Sequence, residues 1–491
     1  MTRNQCLRAR GHLADPSGWM RGALSLLVLA GVCSSFTAHA ADVLSKCQLP
    51  GIAEPARCGV VEVPENPAKP EGRKLGISVA VVPATQGRAL PDPIVLLMGG
   101  PAEDAISGAS YFAGTLTALR GDRDIVFIDQ RGTGKSHRLP CDIYAGIEPE
   151  VLFRDVFPLE PIERCARELS KNADLTQYSY GHFARDLEHI RKLLGYGPIN
   201  LHAGSYGTRA AQVFIRTYPD SVRTVLFHSM VPIDVAIPLP VAKAAQGVMD
   251  RVLNDCQAQP ACRAAFPNVR NELAEVLKRL QTDEVKVSVP GEGGATEVPL
   301  DRGRVAERLR SMMYRAEGAD RIPFVIHRAY LGDYRPIVDD ILANARGASE
   351  AISFGLFFSI GCNEDVPFVR EADIGPASAG TYLGDYRVRQ QQAACSKWPR
   401  ASLPAGYRDA VRSSVPALFV TGDSDPTIEL AVTENAAKAF PNRAEVLLKN
   451  RGHTEWPDCV GDIYKRFVSA GSAAQLDTST CKPEPRRPFK T

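Results

Sequence analysis

The chain has 491 residues, which is long enough for two or three domains or for one large domain that carries an insertion. Hydrophobic residues make up 44% and charged residues 23% of the chain, the balance of an ordinary soluble protein. The formal net charge of +2 gives no reason to expect nucleic acid or a membrane surface as a partner.

The N-terminus predicts a secretory signal peptide over residues 1–40. Arg21 precedes a short apolar run from Ala23 to Val32, and Ala38-His39-Ala40 supplies a small-x-small cleavage site. The apolar run is too short to span a bilayer. We therefore expect an exported protein, periplasmic or secreted, with no stable membrane association after the signal is cleaved.

Cysteine usage agrees with export. Two of the 12 cysteines lie in the signal segment, and the ten that remain are an even number, which predicts disulfides in an exported chain. Spacing alone leaves the connectivity open, but pairing between neighbours needs the least topology. The expected pairs are Cys47–Cys58, Cys141–Cys165, Cys256–Cys262, Cys362–Cys395 and Cys459–Cys481. No Cys-x-x-Cys or paired Cys/His cluster occurs, so we expect neither a metal nor another cofactor.

Strand patterns alternate with helix patterns along most of the mature chain. The predicted strands are 58–63, 75–82, 93–98, 124–129, 199–201, 224–227, 417–420 and 445–448. The first two form an antiparallel hairpin, and an amphipathic helix covers 183–194. This alternation predicts a mostly parallel sheet with helices on both faces and a ligand site at the carboxyl ends of its strands.

Residues 233–404 interrupt the alternation between the sixth and seventh predicted strands. Their helix patterns cover 241–253, 269–280, 305–313 and 322–331. Because the strand pattern resumes afterwards, we predict a large helical cap inserted after the sixth strand rather than a tandem domain. The core then consists of two parts, 41–232 and 405–491. A long insertion whose ends lie together is thermodynamically tolerable.

The motif Ala203-Gly204-Ser205-Tyr206-Gly207 lies where the fifth predicted strand turns into a helix. A serine between small residues at such a turn is the nucleophile-elbow pattern, because small residues allow a sharp turn that exposes the serine oxygen. Ala203 replaces the usual first glycine and is small enough for close helix–strand packing. A plain turn has the same spacing, so Ser205 needs a base, an acid and an oxyanion site elsewhere.

His453 is the expected base, because it lies in a loop directly after the last predicted strand. His202 and His228 lie on strands, where packing roles are expected. Either Asp423 or Asp425, in the loop after the preceding strand, could reach His453. Asp425 is the expected acid, because Asp423 could instead cap that turn. The chain order of serine, acid and histidine is that of α/β-hydrolases.

The oxyanion site requires two backbone N–H groups. The N–H of Tyr206, at the start of the helix, is one candidate. The second is the N–H of Gly100 in Gly99-Gly100-Pro101, which follows the third predicted strand and where glycine allows close approach of a substrate.

These stretches resemble the α/β-hydrolase family of proline iminopeptidases and tripeptidyl aminopeptidases, which are exported bacterial serine exopeptidases. The similar core stretches are Gly99-Gly100-Pro101, Asp129 to Ser136, Gly204 to Thr208, Asp423 to Thr427 and Gly452-His453. The similar cap stretches are Cys256 to Cys262, Gly332 to Pro336, Cys362 to Asp365 and Cys395 to Pro399. The resemblance covers nearly all of the mature chain, and Asp129-Gln130-Arg131-Gly132 is its most specific element.

The resemblance implies an α/β-hydrolase fold and an aminopeptidase that releases N-terminal residues or short peptides through an acyl-enzyme. A carboxylesterase, or another ester or amide hydrolase with the same triad, is the alternative, so the partner is a peptide or a small ester or amide. Family members hold the substrate α-ammonium with cap carboxylates, for which Glu364 is the candidate; capping a helix or facing solvent is its alternative role. The oligomeric state is left open.

Two departures from the family pattern concern the pocket rather than the catalytic atoms. The family's His/Gln-Gly-Gly-Pro-Gly is Met98 to Ala102 here, and the first elbow glycine is replaced by Ala203.

In the Asp-Gln-Arg-Gly motif, we expect Asp129 and Arg131 to pair within their loop and to fix the floor of the site beside the elbow.

Overall fold

The computed structural model describes residues 43–116, 119–282, 284–291 and 294–491, and the expected signal peptide lies outside the described residues. The strands are β1 Ser45–Cys47, β2 Ala56–Pro64, β3 Lys74–Val82, β4 Ile94–Leu97, β5 Ile125–Ile128, β6 Ile199–Gly204, β7 Val222–His228, β8 Lys286–Gly291, β9 Gly294–Pro299, β10 Ala417–Gly422 and β11 Arg443–Leu448. The helices of the first part are α1 Ala109–Thr115, α2 Pro149–Leu152, α3 Leu159–Leu169, α4 Tyr180–Leu193 and α5 Gly207–Thr217.

The helices that follow β7 are α6 Val241–Ala258, α7 Pro260–Ala265, α8 Val269–Thr282, α9 Arg302–Met312, α10 Ala316–Ala319, α11 Ile322–Tyr330, α12 Arg335–Ala351, α13 Phe354–Ile360, α14 Glu371–Ser378, α15 Tyr386–Cys395, α16 Leu430–Ala437 and α17 Asp458–Ala470. A single π-helical turn, Gly361–Asp365, continues α13.

The main sheet positions the site. Among the described residues it has nine strands, in the order β1-β2-β3-β5-β4-β6-β7-β10-β11. β1 to β3 pair antiparallel and β3 is antiparallel to β5, whereas β5, β4, β6, β7, β10 and β11 run parallel. The loops that leave the carboxyl ends of the parallel strands therefore meet at one edge. The predicted mostly parallel sheet is confirmed.

Helices cover both faces of this sheet because its strands are apolar on both sides. Side chains alternate along β4: Val95 and Leu97 belong to one buried cluster with α4 and α5, whereas Leu96 belongs to another with α17. All four residues of β4 and all four of β5 are buried. The continuous apolar runs in the sequence reflect this double burial.

The segment between β7 and β10 contains α6 to α15. The four predicted helices correspond to α6, α8, α9 and α11, whereas α7, α10 and α12 to α15 were not predicted. The segment also contains the antiparallel hairpin β8–β9, which the sequence did not predict. β9 exposes every residue except Val298, so the alternation that reveals a half-buried strand is too weak to detect there.

Five disulfides join the ten cysteines of the described residues, and each links sequence neighbours, so the expected pairing is confirmed. The pairs are Cys47–Cys58, Cys141–Cys165, Cys256–Cys262, Cys362–Cys395 and Cys459–Cys481. This many disulfides is typical of proteins that fold outside the reducing cytosol. Within the described ranges, no helix is both long and apolar enough to cross a membrane.

Candidate active site

Ser205 sits in a strained turn between β6 and α5. Its φ of +52° is rare for a residue with a side chain, and its N–H donates to the carbonyl of His228. Two glycines permit this packing. A Cβ on Gly207 would lie 2.1 Å from the carbonyl oxygen of Leu97, and a Cβ on Gly99 would lie 2.8 Å from Cβ of Ser205. The elbow pattern therefore corresponds to a real strand–turn–helix.

The structure brings the three residues of the expected triad together. His453 Nε2 lies 2.8 Å from Ser205 Oγ, and His453 Nδ1 lies 2.6 Å from Asp425 Oδ2. Asp423 points elsewhere: its Oδ1 accepts from the N–H of Asn450 at 2.9 Å. Of the two aspartates in this loop, Asp425 is thus the one that contacts the histidine.

Burial and charge set the protonation of this pair. Burial disfavours the imidazolium, but the hydrogen-bonded Asp425 carboxylate, helped by Tyr314 and Glu103, outweighs burial and raises the pKa of His453. Burial also acts against the Asp425 carboxylate, yet His453 and the N–H of Thr427 lower the pKa of Asp425 overall. The arrangement favours an ionised Asp425 that orients His453 and stabilises its charged form.

Residues between β7 and β10 form hydrogen bonds with the loop that contains His453. The carbonyl of Tyr314 accepts the N–H of His453 at 2.8 Å. The carboxylate of Glu455 accepts the N–H of Gly452 at 3.1 Å and that of Ala316 at 2.6 Å. Both contacts tie the loop of His453 to the start of α10.

Tyr314 also contacts the imidazole through its ring. The two ring centroids are 5.1 Å apart with an interplanar angle of 84°. Arg310 donates to the Tyr314 hydroxyl at 3.0 Å. Burial favours the neutral phenol, but Arg310, His453 and Arg387 together lower the pKa of Tyr314 to about 8. A second titrating group therefore packs directly against the base.

The two expected oxyanion donors lie beside the serine. Gly99 packs against Ser205, which places Gly100 next in the same loop, and Tyr206 is the N-cap of α5. In the part of the chain that the structure describes, neither the N–H of Gly100 nor that of Tyr206 donates to a turn or loop carbonyl. That both groups bind a substrate oxygen stays a prediction. Ala102, which stands where the family pattern has the glycine after Gly-Gly-Pro, has φ +81° and is strained there.

The expected pairing of Asp129 with Arg131 is wrong. Asp129 accepts the N–H groups of Ala105 at 3.0 Å, Ile106 at 2.9 Å and Lys135 at 3.1 Å, so it braces the loop that follows β4. Arg131 makes two 2.7 Å hydrogen bonds to Asp186 on α4 instead. Asp186 lies 55 positions further along the chain, where local sequence offers no signal of the contact.

The structure does not place Glu364 on the cavity that contains Ser205. Glu364 is 1% exposed, and its oxygens accept from the N–H of Tyr180 and the hydroxyl of Tyr407, each at 2.8 Å. Burial raises the pKa of Glu364 to about 7, although these two donors oppose that rise. A carboxylate enclosed in this way has no free edge for a substrate ammonium, which corrects the role expected for Glu364.

A cavity of about 710 Å³ opens above Ser205. The walls of this cavity include Gly100, Glu103, Phe112, His202, Tyr314, Arg315, Ile352, His453 and Trp456. Glu103 is the acidic residue of this lining. Its carboxylate makes no hydrogen bond or ion pair with another described residue. Burial raises the pKa of Glu103, and the neighbouring Asp104 adds to this rise. His453 and Arg315 act in the opposite direction.

Three contributors to the site were not predicted from the sequence. They are Glu103, Tyr314 and Glu455. Glu103 had a local signal, since it follows Gly99-Gly100-Pro101 by two positions. Tyr314 reaches His453 only through the packing of a distant segment. Glu455 lies two positions after His453, and its contact with Ala316 is the part that the folded chain alone shows. Within the described ranges no cluster of histidine, cysteine, aspartate or glutamate could hold a metal ion.

Comparison with known proteins adds to this geometry. Residues 92–306 match the family described as alpha/beta hydrolase fold, and residues 380–481 match the family described as TAP-like protein. The chain is similar to tripeptidyl aminopeptidase of Streptomyces lividans, with 27% identity over 249 residues, 45% of this chain and 43% of that protein. It is also similar to serine protease Hip1 of Mycobacterium tuberculosis, with 28% identity over 226 residues, 42% of each chain.

A solved structure of similar chain course is proline iminopeptidase of Mycobacterium smegmatis. The TM-score is 0.41 at 15% identity, covering 84% of this chain and 98% of that chain. The chain matches less than half the length of the curated relatives named above.

Proposed function

Because the chain belongs to the α/β hydrolases, we propose that it is a serine hydrolase that cleaves short pieces from peptides with a free N-terminus. The observation that carries this proposal is the continuous hydrogen-bonded series Ser205–His453–Asp425 in the wall of a 710 Å³ cavity. The peptidase names of the relatives support the choice of a peptide substrate.

In the proposed mechanism, Ser205 Oγ attacks the substrate carbonyl while its proton moves to His453 Nε2. The imidazolium is stabilised by Asp425, and the carbonyl oxygen becomes an oxyanion that accepts from the N–H groups of Gly100 and Tyr206. His453 then protonates the leaving amine, the C–N bond breaks and an acyl-enzyme remains. Water, deprotonated by His453, attacks the ester and releases Ser205.

A free N-terminus needs a partner for its positive charge. Glu103 is our candidate in place of Glu364, because its carboxylate lines the cavity and no described residue donates to it. An α-ammonium bound there would satisfy a partly buried carboxylate and would favour its ionised form. Glu103 lies three positions after Gly100 and both line the cavity, so an ammonium at Glu103 would be near the scissile carbonyl, as it is when a single N-terminal residue is released.

We also propose that the protein is exported to the periplasm or beyond the cell. The five disulfides and the signal pattern in residues 1–40 support this location.

The test is a panel of p-nitroanilides. It contains unblocked aminoacyl and tripeptidyl substrates, their N-acetylated counterparts and p-nitrophenyl acetate, each with the Ser205→Ala variant as control. We expect turnover of the unblocked anilides, weak turnover of the blocked ones and none by Ser205→Ala. Turnover of the ester alone would replace the aminopeptidase with the carboxylesterase alternative.

A further inference from the structure

Three aromatic rings line one part of the same cavity, here called the recess: His202 on β6, Phe112 on α1 and Trp456 after β11. The Trp456 ring lies over the imidazole of His202, with centroids 5.2 Å apart and 33° between the planes. Phe112 meets the imidazole edge-on at 5.7 Å. Phe112 and Trp456 are thus both in contact with the imidazole, and together the rings give the cavity an aromatic surface on which a flat apolar group can pack.

The imidazole of His202 has no hydrogen-bond partner among the described residues. The side chain is 4% exposed, and its Nδ1 is enclosed without a donor or acceptor. His228, on the neighbouring strand, provides the contrast: it is equally buried, but its Nε2 contacts the carbonyl of Glu455 at 3.1 Å. Buried polar groups are normally paired, so an unpaired imidazole that lines a cavity indicates a missing ligand group.

The chemistry of that group follows from the charge of the imidazole. Burial, with a smaller contribution from His228, lowers the pKa of His202 to about 3. The ring is therefore neutral near pH 7 and does not attract a carboxylate by charge. A neutral imidazole offers one donor and one acceptor, and a hydroxyl can pair with either because it both donates and accepts.

We propose that the recess formed by His202, Phe112 and Trp456 binds an aromatic substrate group that carries a hydroxyl, with the hydroxyl hydrogen-bonded to His202. This assignment rests on the proposed function only in taking the cavity of Ser205 as the substrate cavity. The substrate side chain that the recess prefers is then of the phenol type.

The experiment measures binding rather than turnover, so that it does not depend on the reaction. Titration calorimetry with the Ser205→Ala variant compares 3-(4-hydroxyphenyl)propanamide with 3-phenylpropanamide, which differ by one hydroxyl. We expect the hydroxylated amide to bind about tenfold more tightly, the effect of one hydrogen bond to a buried partner. The added substitution His202→Phe keeps the ring and its packing, and should abolish the difference.

Tyr464→Phe is the matched control. Tyr464 contacts His202 from outside the cavity at 5.3 Å and also has a buried hydroxyl without a partner. It should leave the tenfold preference unchanged. Equal binding of the two amides, no binding of the hydroxylated one, or a preference that survives His202→Phe would overturn the assignment.

Failure of the proposed function has a different signature. Wild-type protein that hydrolyses neither anilides nor p-nitrophenyl acetate, while Ser205→Ala keeps its preference for the hydroxylated amide, would reject the hydrolase and leave the recess intact.

Discussion

The loop after β4 and the π-helical turn Gly361–Asp365 each carry a partly or fully buried glutamate, and burial raises the pKa of both. Glu364, in the π-helical turn, is surrounded by donors from Tyr180 and Tyr407. Glu103, in the loop, has no such donors and lines the cavity above Ser205. A carboxyl group whose oxygens already accept hydrogen bonds from the protein has a role in the fold, whereas one without donors at a cavity is available to a ligand.

Asp425→Asn should have the largest effect, because Asp425 contacts His453, the proposed base, directly. An amide at this position cannot stabilise the imidazolium and favours the wrong tautomer of His453. We expect kcat/KM to fall about 10⁴-fold with little change in Tm. Steady-state kinetics and a thermal melt measure both, and a fall of less than tenfold would contradict the assignment of Asp425.

Glu103→Gln tests whether the carboxylate that lines the cavity binds the substrate ammonium. Loss of a charged hydrogen bond to the α-ammonium should lower kcat/KM for unblocked anilides by about 10- to 100-fold, with p-nitrophenyl acetate almost unaffected. Because Glu103 helps to raise the pKa of His453, the acidic limb of the pH–rate profile should also move to lower pH. Equal losses on both substrates would show that Glu103 shapes the loop and does not bind the ammonium.

Glu364→Gln tests the carboxyl group that accepts hydrogen bonds from the protein, and it should change the free energy of unfolding rather than activity. The folded pKa of about 7 lies above the ordinary 4.5, so the stabilising contribution is complete below pH 4.5 and is lost as pH rises through 7. Wild-type Tm should therefore fall relative to the variant over this interval, by the equivalent of at most about 3 kcal/mol. Thermal melts across this range measure the difference.

The matched activity assay for Glu364→Gln uses the same anilides as Glu103→Gln. The preference for free over acetylated N-termini should not change. A loss of that preference would restore Glu364 as the ammonium partner and remove the contrast between the two glutamates.

Tyr314→Phe should have the smallest effect. Near pH 8 the phenol of Tyr314 ionises beside His453, so the wild-type pH–rate profile should show an inflection there. Phenylalanine keeps the ring and the backbone contact to His453 but cannot titrate. We expect the inflection to vanish with only a few-fold change in kcat/KM, and an unchanged profile would show that the Tyr314 phenol does not influence the base.

The core and its three central residues could be predicted because their signals are local. Buried parallel strands appear as apolar runs, and Ser205, Asp425 and His453 each follow such a run directly. The contacts that decide between Glu103 and Glu364 are not local. Tyr180 and Glu364 are 184 positions apart, so only the folded chain shows that the cap carboxylate is already satisfied.

Reliance on local sequence also explains two other errors, the expected Asp129–Arg131 pair and the missed hairpin β8–β9. Arg131 was expected to pair two positions away with Asp129, but a partner on α4 offers a two-pronged contact that the tight loop does not. The hairpin β8–β9 is mostly exposed and so leaves little hydrophobic pattern to detect.

Covalent labelling of Ser205 by a fluorophosphonate probe tests the central claim most directly. Attack on the probe needs the serine, the histidine and the oxyanion donors together, but does not depend on the identity of the substrate. We expect folded wild-type protein to be labelled at Ser205 and the Ser205→Ala variant to remain unlabelled. Folded wild-type protein without label, or label that persists in Ser205→Ala, would contradict the account.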